Sequence, residues 1–407
     1  MSIKFFITSL LMYLVFISTY VSAATIEIND SRATSEYWIN RSANGDKILL
    51  SPQQISKFNA NILSKDEYAA DLENYPAVVS TDKVNALIKE AEYDLYTGEH
   101  YVSDDVTVRY AVTVERGDIR LLPQSWNGDI YDDIQGTAID PAEAVAVLLE
   151  SKDGKFVFVQ SRYYMGWLNK SIIAFTNRET WLHYVNPKDF IIITANKKAI
   201  EINGKNVLFQ MGAKIPLKNT KITDNNYWIT RFPTSVNGQL KEVDAFIWND
   251  ETINKGFLNC TENNFIRQAF KFLGDVYGWG GLQESVDCSA FTQNIYRSMG
   301  LEIPRDADRQ EGCMPIFAVF NDVTTAERFD IVKRAPIGSL LFKPGHVMMN
   351  LGQDDNGNSL VIHSASSYFD NGNKIYIRKV IVSDLHYKNS SGVETIDGLT
   401  GISFYGR

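Results

Sequence analysis

Residues Asp275 to Gly300 read DVYGWGGLQESVDCSAFTQNIYRSMG. From Cys288 onward the apolar residues Phe291, Ile295 and Met299 recur every four positions, which predicts a helix with a buried stripe. Asp287 is suited to cap its start and Gly300 to end it. Cys288 then falls in the first turn, where unpaired N–H groups and the helix dipole favour a thiolate. That placement makes Cys288 a candidate nucleophile. The competing reading is a small buried hydrophobe, since free cysteine is among the most buried residues. Just upstream, Tyr277-Gly278-Trp279-Gly280-Gly281 combines aromatic rings with glycines that permit positive φ and close backbone approach.

A cysteine nucleophile needs a base, and the base needs an orienting group. The chain has five histidines, and two of them fall in one expected hairpin. Its strands are GHVMMNLG (Gly345–Gly352) and SLVIHSAS (Ser359–Ser366), joined by the turn-forming Asp354-Asp355-Asn356-Gly357-Asn358. With Gln353 to Asn358 as the loop, Gly352 pairs with Ser359, and His346 and His363 share a face. A loop one residue shorter or longer sends them to opposite faces. Cysteine at a helix start, histidine on a strand and a third polar group on the next strand make the papain-like arrangement.

These residues resemble the NlpC family of papain-like cysteine peptidases, which cut bacterial cell-wall peptides. The resemblance rests on Tyr277 to Gly281, on Asp287-Cys288-Ser289 followed by Phe291, on Pro344-Gly345-His346-Val347, and on His363. Ala290 stands where glycine is more usual. The resemblance implies Cys288 as nucleophile, His346 as base and His363 as orienter. Tyr277, Trp279, Asp287 and Ser289 are implied to line the substrate site. No Cys-x-x-Cys or His-x-x-x-His spacing points to a metal, so the expected chemistry needs no cofactor.

The whole chain has 407 residues and a formal charge of −9, with no Lys/Arg cluster, which argues against nucleic acid and against docking on an anionic membrane. Residues 1–23, MSIKFFITSLLMYLVFISTYVSA, have a charged start, an apolar middle and a small-residue Val21-Ser22-Ala23 end, the pattern of a secretory signal peptide. An exported protein, in the periplasm or outside the cell, is expected, with no membrane-spanning segment after cleavage and acting as a monomer. Of the three cysteines, Cys260 and Cys313 either pair with each other or stay reduced and buried.

Residues 24–100 read as a helical packing module, with starts at Ser51-Pro52 and at Ser80-Thr81-Asp82. From about Asp104 the apolar period becomes two, in VTVRYAVTVER, AVAVLLES and KFVFVQS, and the run ends in Arg162–Phe175, RYYMGWLNKSIIAF. This stretch resembles a bacterial SH3-like barrel. DFIIITA, NVLFQMG, YWITRFP and VDAFIWN read as a second one, with weaker motifs. The expected fold class is therefore multidomain α+β. It comprises a helical N-terminal segment (24–100), two small SH3-like β-barrels (101–180 and 181–258) and a C-terminal papain-like α+β domain of NlpC type (259–407).

NlpC-type proteins with two such barrels form a subgroup, and the likeness to it implies more. The first barrel leans over the site, and a tyrosine matching Tyr164 in Tyr164-Met165-Gly166-Trp167 helps to hold a free L-alanine amine. Asp306 in Pro304-Arg305-Asp306 pairs with that ammonium. A serine commonly follows that aspartate, and here the residue is Ala307. The implied reaction is hydrolysis of the γ-D-glutamyl–L-diamino acid bond in murein stem peptides. Two other classes fit the same residues: a non-catalytic wall-binding protein, and a cysteine amidase or acyltransferase on the same fold.

Overall fold

The computed structural model describes residues 25–406 except 28, 43, 93, 94, 96, 97 and 371, so the expected signal peptide at 1–23 lies outside the described residues. Helix α1 (Ser35–Ile39) is capped by the Thr34 hydroxyl, which accepts the Tyr37 N–H. Helix α2 (Pro52–Leu63) carries Pro52 where no N–H is needed, and Ser51 and Gln54 cap each other reciprocally. Helix α3 (Thr81–Glu92) buries Val84, Leu87 and Ile88. The expected single N-terminal module is divided in its packing. Trp38, Phe58 and Ile62 join the core of the C-terminal domain, whereas Val84, Leu87 and Ile88 pack on the first barrel.

Strands β1 (Val78–Val79) and β2 (Val106–Thr107) pair across the expected boundary at 100/101. The first barrel is built from β3 (Arg109–Thr113), β4 (Gly117–Arg120), β5 (Gln135–Ile139), β6 (Ala144–Glu150), β7 (Phe156–Gln160), β8 (Met165–Asn169) and β9 (Ile173–Thr176). Val145, Val147, Val157 and Val159 fill one core. Their neighbours Ala144, Ala146, Phe156 and Phe158 face α3 and helix α4 (Arg178–Val185) in another. Burial on both faces explains why AVAVLL and FVFV lack polar alternation. Helix α4 crosses the expected boundary at 180/181 and packs with the first barrel through Trp181, Tyr184 and Val185.

The second barrel comprises β10 (Phe190–Ile193), β11 (Lys197–Ile202), β12 (Lys205–Gln210), β13 (Lys214–Pro216), β14 (Tyr227–Val236), β15 (Gln239–Trp248) and β16 (Ile253–Lys255), around a core that includes Ile191, Ile193, Phe209 and Phe232. The two barrels share one ladder: a parallel pairing of Gln239 with Phe175 joins the β14–β15 hairpin to β9 in a nine-stranded sheet.

The C-terminal domain places α5 (Glu262–Phe270), α6 (Cys288–Ser298), α7 (Ala307–Cys313) and α8 (Thr325–Arg334) around a six-stranded antiparallel sheet. Its strands are β17 (Ile316–Val319), β18 (Leu340–Lys343), β19 (His346–Gln353), β20 (Ser359–Asp370), β21 (Asn373–Ser383) and β22 (Gly401–Ser403), in the order β17-β22-β18-β19-β20-β21. Phe291, Ile295 and Met299 point into the core, as their spacing predicts. The rest of α6 is buried as well, because other elements satisfy its polar side. Asn294 Nδ2 donates to Gln210 Oε1 of the second barrel at 3.4 Å. Arg297 pairs with Glu143 of the first barrel at 2.6 Å.

The histidine hairpin reaches its expected register by an unexpected route. The loop is one residue shorter than expected: Gln353 already pairs with Ser359, and Gly352 with Leu360. A bulge between Asn350 and Gly352 then shifts the ladder, so that Asn350 faces Val361 and Met349 faces Ile362. Beyond the bulge the register equals the one expected, and His346 and His363 return to one face.

Candidate active site

Asp287 caps α6 by accepting the Ala290 N–H at 2.8 Å, which fixes the helix start and with it Cys288. The backbone N–H groups of Ser289 and of Val347, the residue after His346, lie near enough to the Cys288 sulfur to favour its ionisation. The first residues of β19 therefore lie against the start of α6. The expectation of a resting thiolate is not met. Burial, with the Asp287 charge adding to it, pushes the Cys288 thiol up to about 12 and outweighs the two N–H groups. All three cysteines are free thiols.

His346 and His363 are hydrogen-bonded, His346 Nε2 to His363 Nδ1 at 2.7 Å. His363 Nε2 lies 3.1 Å from Ser383 Oγ, and the Ser383 hydroxyl donates to the Asp384 carbonyl at 3.0 Å. A carbonyl can only accept, so the serine proton is committed and its lone pair takes the His363 Nε2–H. His363 Nδ1 is then bare and accepts the His346 Nε2–H. The chain of bonds leaves His346 Nδ1 unprotonated, the form a base requires. Burial holds His346 well below the usual imidazole range. The same cause, helped by the nearby Lys343 charge, brings His363 down to about 3. Both rings are neutral near pH 7.

Tyr277 is buried with its ring 6.3 Å from Tyr131. The charges of Cys288 and Asp287 add to burial in opposing ionisation of its hydroxyl, so it stays a donor. Trp279 gives its indole N–H to the Asp132 carbonyl of the first barrel at 3.1 Å. Asp287 and Ser289 face inward rather than toward the cleft. Arg305 binds Asp287 through two nitrogens, at 2.6 and 3.1 Å, and donates to Ser289 Oγ at 2.9 Å and to Thr137 Oγ1 of the first barrel at 2.7 Å. The second Asp287 oxygen also accepts the Gly280 N–H at 3.0 Å. The sequence pattern quoted Arg305 but gave it no part. Its signal was available, since a buried guanidinium requires a buried anion.

Asp306 and Tyr164 come together from different domains, near enough for the Asp306 charge to oppose ionisation of Tyr164. Asp306 precedes α7 without capping it, and its carboxylate accepts no hydrogen bond from the described residues. Burial, only partly offset by the Arg305 charge, brings its carboxyl up to about 6. Tyr164 packs edge-on against Tyr68 at 5.2 Å, and Arg309 lies over the Tyr68 ring at 3.4 Å. Tyr68 was not singled out from sequence, because the turn beyond α2 that carries it has no motif.

Gly280 and Gly281 have φ of 56° and 84°. The close approach they permit is to the first barrel: a Cβ on Gly281 would sit 2.7 Å from that of Ala138. Gln135 Nε2 donates to the Gly280 carbonyl at 3.1 Å. Among the described residues no three His, Cys, Asp or Glu side chains are grouped to hold a metal ion, and no helix is long and apolar enough to cross a membrane.

Comparison with known proteins agrees with this geometry. Residues 274–383 match the NlpC/P60 family, and residues 124–169 match the SH3 domain of the SH3b1 type. Over 103 residues, 25% of the chain, the sequence is 33% identical to dipeptidyl-peptidase 6 of Lysinibacillus sphaericus, and the match spans only 32% of that protein. A novel NlpC/P60 endopeptidase from Photobacterium damselae subsp. piscicida superposes with a TM-score of 0.63 over 94% of both chains at 16% identity. An NlpC/P60 family protein from Bacillus cereus ATCC 10987 does so with a TM-score of 0.53 over 73% of this chain and all of its own, at 19% identity. At these identities the superpositions speak to the fold alone. The matched segment runs from just after α5 through Cys288, His346 and His363 to Ser383, so the C-terminal part of the chain carries an NlpC/P60 domain behind an SH3 domain.

Proposed function

We propose that the protein is a cysteine peptidase that hydrolyses the γ-D-glutamyl–L-diamino acid bond of murein stem peptides bearing a free N-terminal L-alanine. The observation that carries the chemistry is the His346–His363–Ser383 bond chain beside the start of α6. The unpartnered Asp306 carboxylate facing Tyr164 supports the choice of a free amine.

With a thiol near 12 and a neutral imidazole, the proton moves as the sulfur attacks rather than beforehand. Cys288 gives its proton to His346 Nδ1 while the sulfur bonds to the γ-amide carbonyl carbon. His363 Nδ1 steadies the imidazolium through the Nε2–H it accepts. The oxyanion is met by the Cys288 N–H and the Tyr277 hydroxyl. The imidazolium then protonates the departing amine as the C–N bond breaks, leaving a thioester. His346 next takes a proton from water, whose oxygen attacks the thioester, and the sulfur leaves with that proton. Arg305, Asp287 and Ser289 position the helix start and do not touch substrate.

Mass spectrometry of L-Ala-γ-D-Glu-L-Lys and its N-acetyl form, incubated with the protein, tests the reading. Release of L-Lys is expected from the free peptide, with the acetylated one slower by about ten- to a hundredfold, the worth of one charge-assisted contact. Cys288→Ala should reduce release to background. Equal cleavage by Cys288→Ala overturns the mechanism. A transferred acyl group in place of free acid points to a transferase, and no cleavage at all to a wall-binding protein.

A further inference from the structure

Behind the histidine pair lies a cavity of about 180 Å³ between β18–β21 and the segment that runs from Asp384 to Thr395. At about 30 Å³ per water it has room for roughly six waters. Lys343, His346, His363, Ser383, Tyr387 and Thr395 are among its walls. Lys343 and His346 are direct cross-strand partners, joined by the two-residue turn Pro344-Gly345, so their backbones are about 5 Å apart.

The Lys343 ammonium is poorly served there. Its one described acceptor is Thr395 Oγ1 at 3.4 Å, and no described carboxylate forms an ion pair with it. Asp384 also lines the cavity and is engaged with the backbone N–H of His386 at 3.0 Å. Burial disfavours the Lys343 charge, and only an ionised Cys288 would favour it. A half-buried ammonium without an anion carries an uncompensated desolvation cost, which an anionic ligand would remove.

The departing nitrogen must come to His346 to be protonated. In an α-amino acid leaving group the carboxylate is one carbon from that nitrogen. A carboxylate so placed falls within reach of a lysine directly across the ladder from His346. We propose that Lys343 and its cavity form a leaving-side subsite that binds the α-carboxylate of the released amino acid. The protein would then act on stem peptides that end at the diamino acid, in preference to those extended or amidated there. This inference rests on the peptidase reading above.

The test uses L-Ala-γ-D-Glu-L-Lys and its C-terminal carboxamide, with kcat/KM measured for wild type, Lys343→Met and Lys343→Arg. Wild type should prefer the carboxylate by about ten- to a hundredfold. Lys343→Met should cut both peptides at similar rates, and Lys343→Arg should retain much of the preference. Using a ratio of two substrates cancels any general effect of the substitution on folding or on the histidines. Equal cleavage of both peptides by wild type, or a preference that survives in Lys343→Met, overturns the subsite while leaving the peptidase reading intact. Cleavage of neither by wild type overturns the peptidase reading and the subsite with it.

Discussion

Ser383 ends β21 and resembles nothing catalytic in the sequence, yet the proton arrangement of the histidine pair depends on it. Without its oxygen, the His363 Nε2–H has no acceptor, and the ring gains nothing from keeping that tautomer. Its Nδ1 can then carry the proton, which places N–H against the His346 Nε2–H. The tautomer with a bare His346 Nδ1 is no longer favoured. Ser383→Ala should therefore lower kcat by about tenfold, the worth of one buried hydrogen bond, with KM little changed. Ser383→Thr, which keeps the hydroxyl, should restore most of it. Steady-state kinetics on the free tripeptide reads both, and unchanged turnover in Ser383→Ala would show that the chain of bonds is not what sets the base. Sequence reading named His346 and His363 from strand pattern and resemblance, but a serine twenty residues beyond His363 gives no local signal. Only the pairing of Val361 with Ser383 brings it to the ring.

Elements obey local rules more closely than the connections between them do. The start of α6 was legible because an aspartate cap and an every-fourth apolar stripe are local features, and the same holds for α2. The loop of the histidine hairpin was not, since turn chemistry fixes a loop only to within a residue. The bulge that corrects it had one local signal, Gly352 at φ 97°, which a plain strand reading of the segment passes over. The paired glycines show how an element meets its neighbour. At Gly281, φ is 84°, and an added Cβ would meet the Ala138 Cβ at 2.7 Å and its nitrogen at 3.2 Å. Neither contact is the flexible end of a side chain, so the barrel or the Trp279–Gly281 turn must shift. Gly281→Ala should cost about 1–3 kcal/mol, from the disfavoured φ together with the overpacking. Urea unfolding should show a lower midpoint at unchanged slope. A midpoint equal to wild type would mean that the barrel yields freely at this contact.

At the scale of the whole molecule, the corner around Asp306 is assembled from three parts of the chain. Tyr68 comes from the N-terminal segment, Tyr164 from the first barrel, and Asp306 with Arg305 and Arg309 from the C-terminal domain. Periodicity could not bring these residues together, because each lies in a separate element with its own local logic. Resemblance paired two of them and was silent on Tyr68. The environment they create gives the amine site a pH dependence. Burial brings Asp306 up to about 6, with Asp287 and Asp308 adding to the rise and Arg305 and Arg309 opposing it. Below that pH the carboxyl is protonated and offers an ammonium no charge. The α-amine of a peptide titrates near 8, so it is cationic through the acid range and neutral above it. An ion pair between them requires a pH above the first value and below the second. The preference for L-Ala-γ-D-Glu-L-Lys over its N-acetyl form should therefore be greatest between about pH 6 and 8, and should fall by up to about tenfold per unit below 6. The acetylated peptide has no amine to titrate and shares every catalytic group, so the ratio of the two kcat/KM values isolates Asp306. Asp306→Asn should make that ratio small and flat from pH 5 to 7. A wild-type ratio that is equally flat over this range would remove Asp306 from amine recognition.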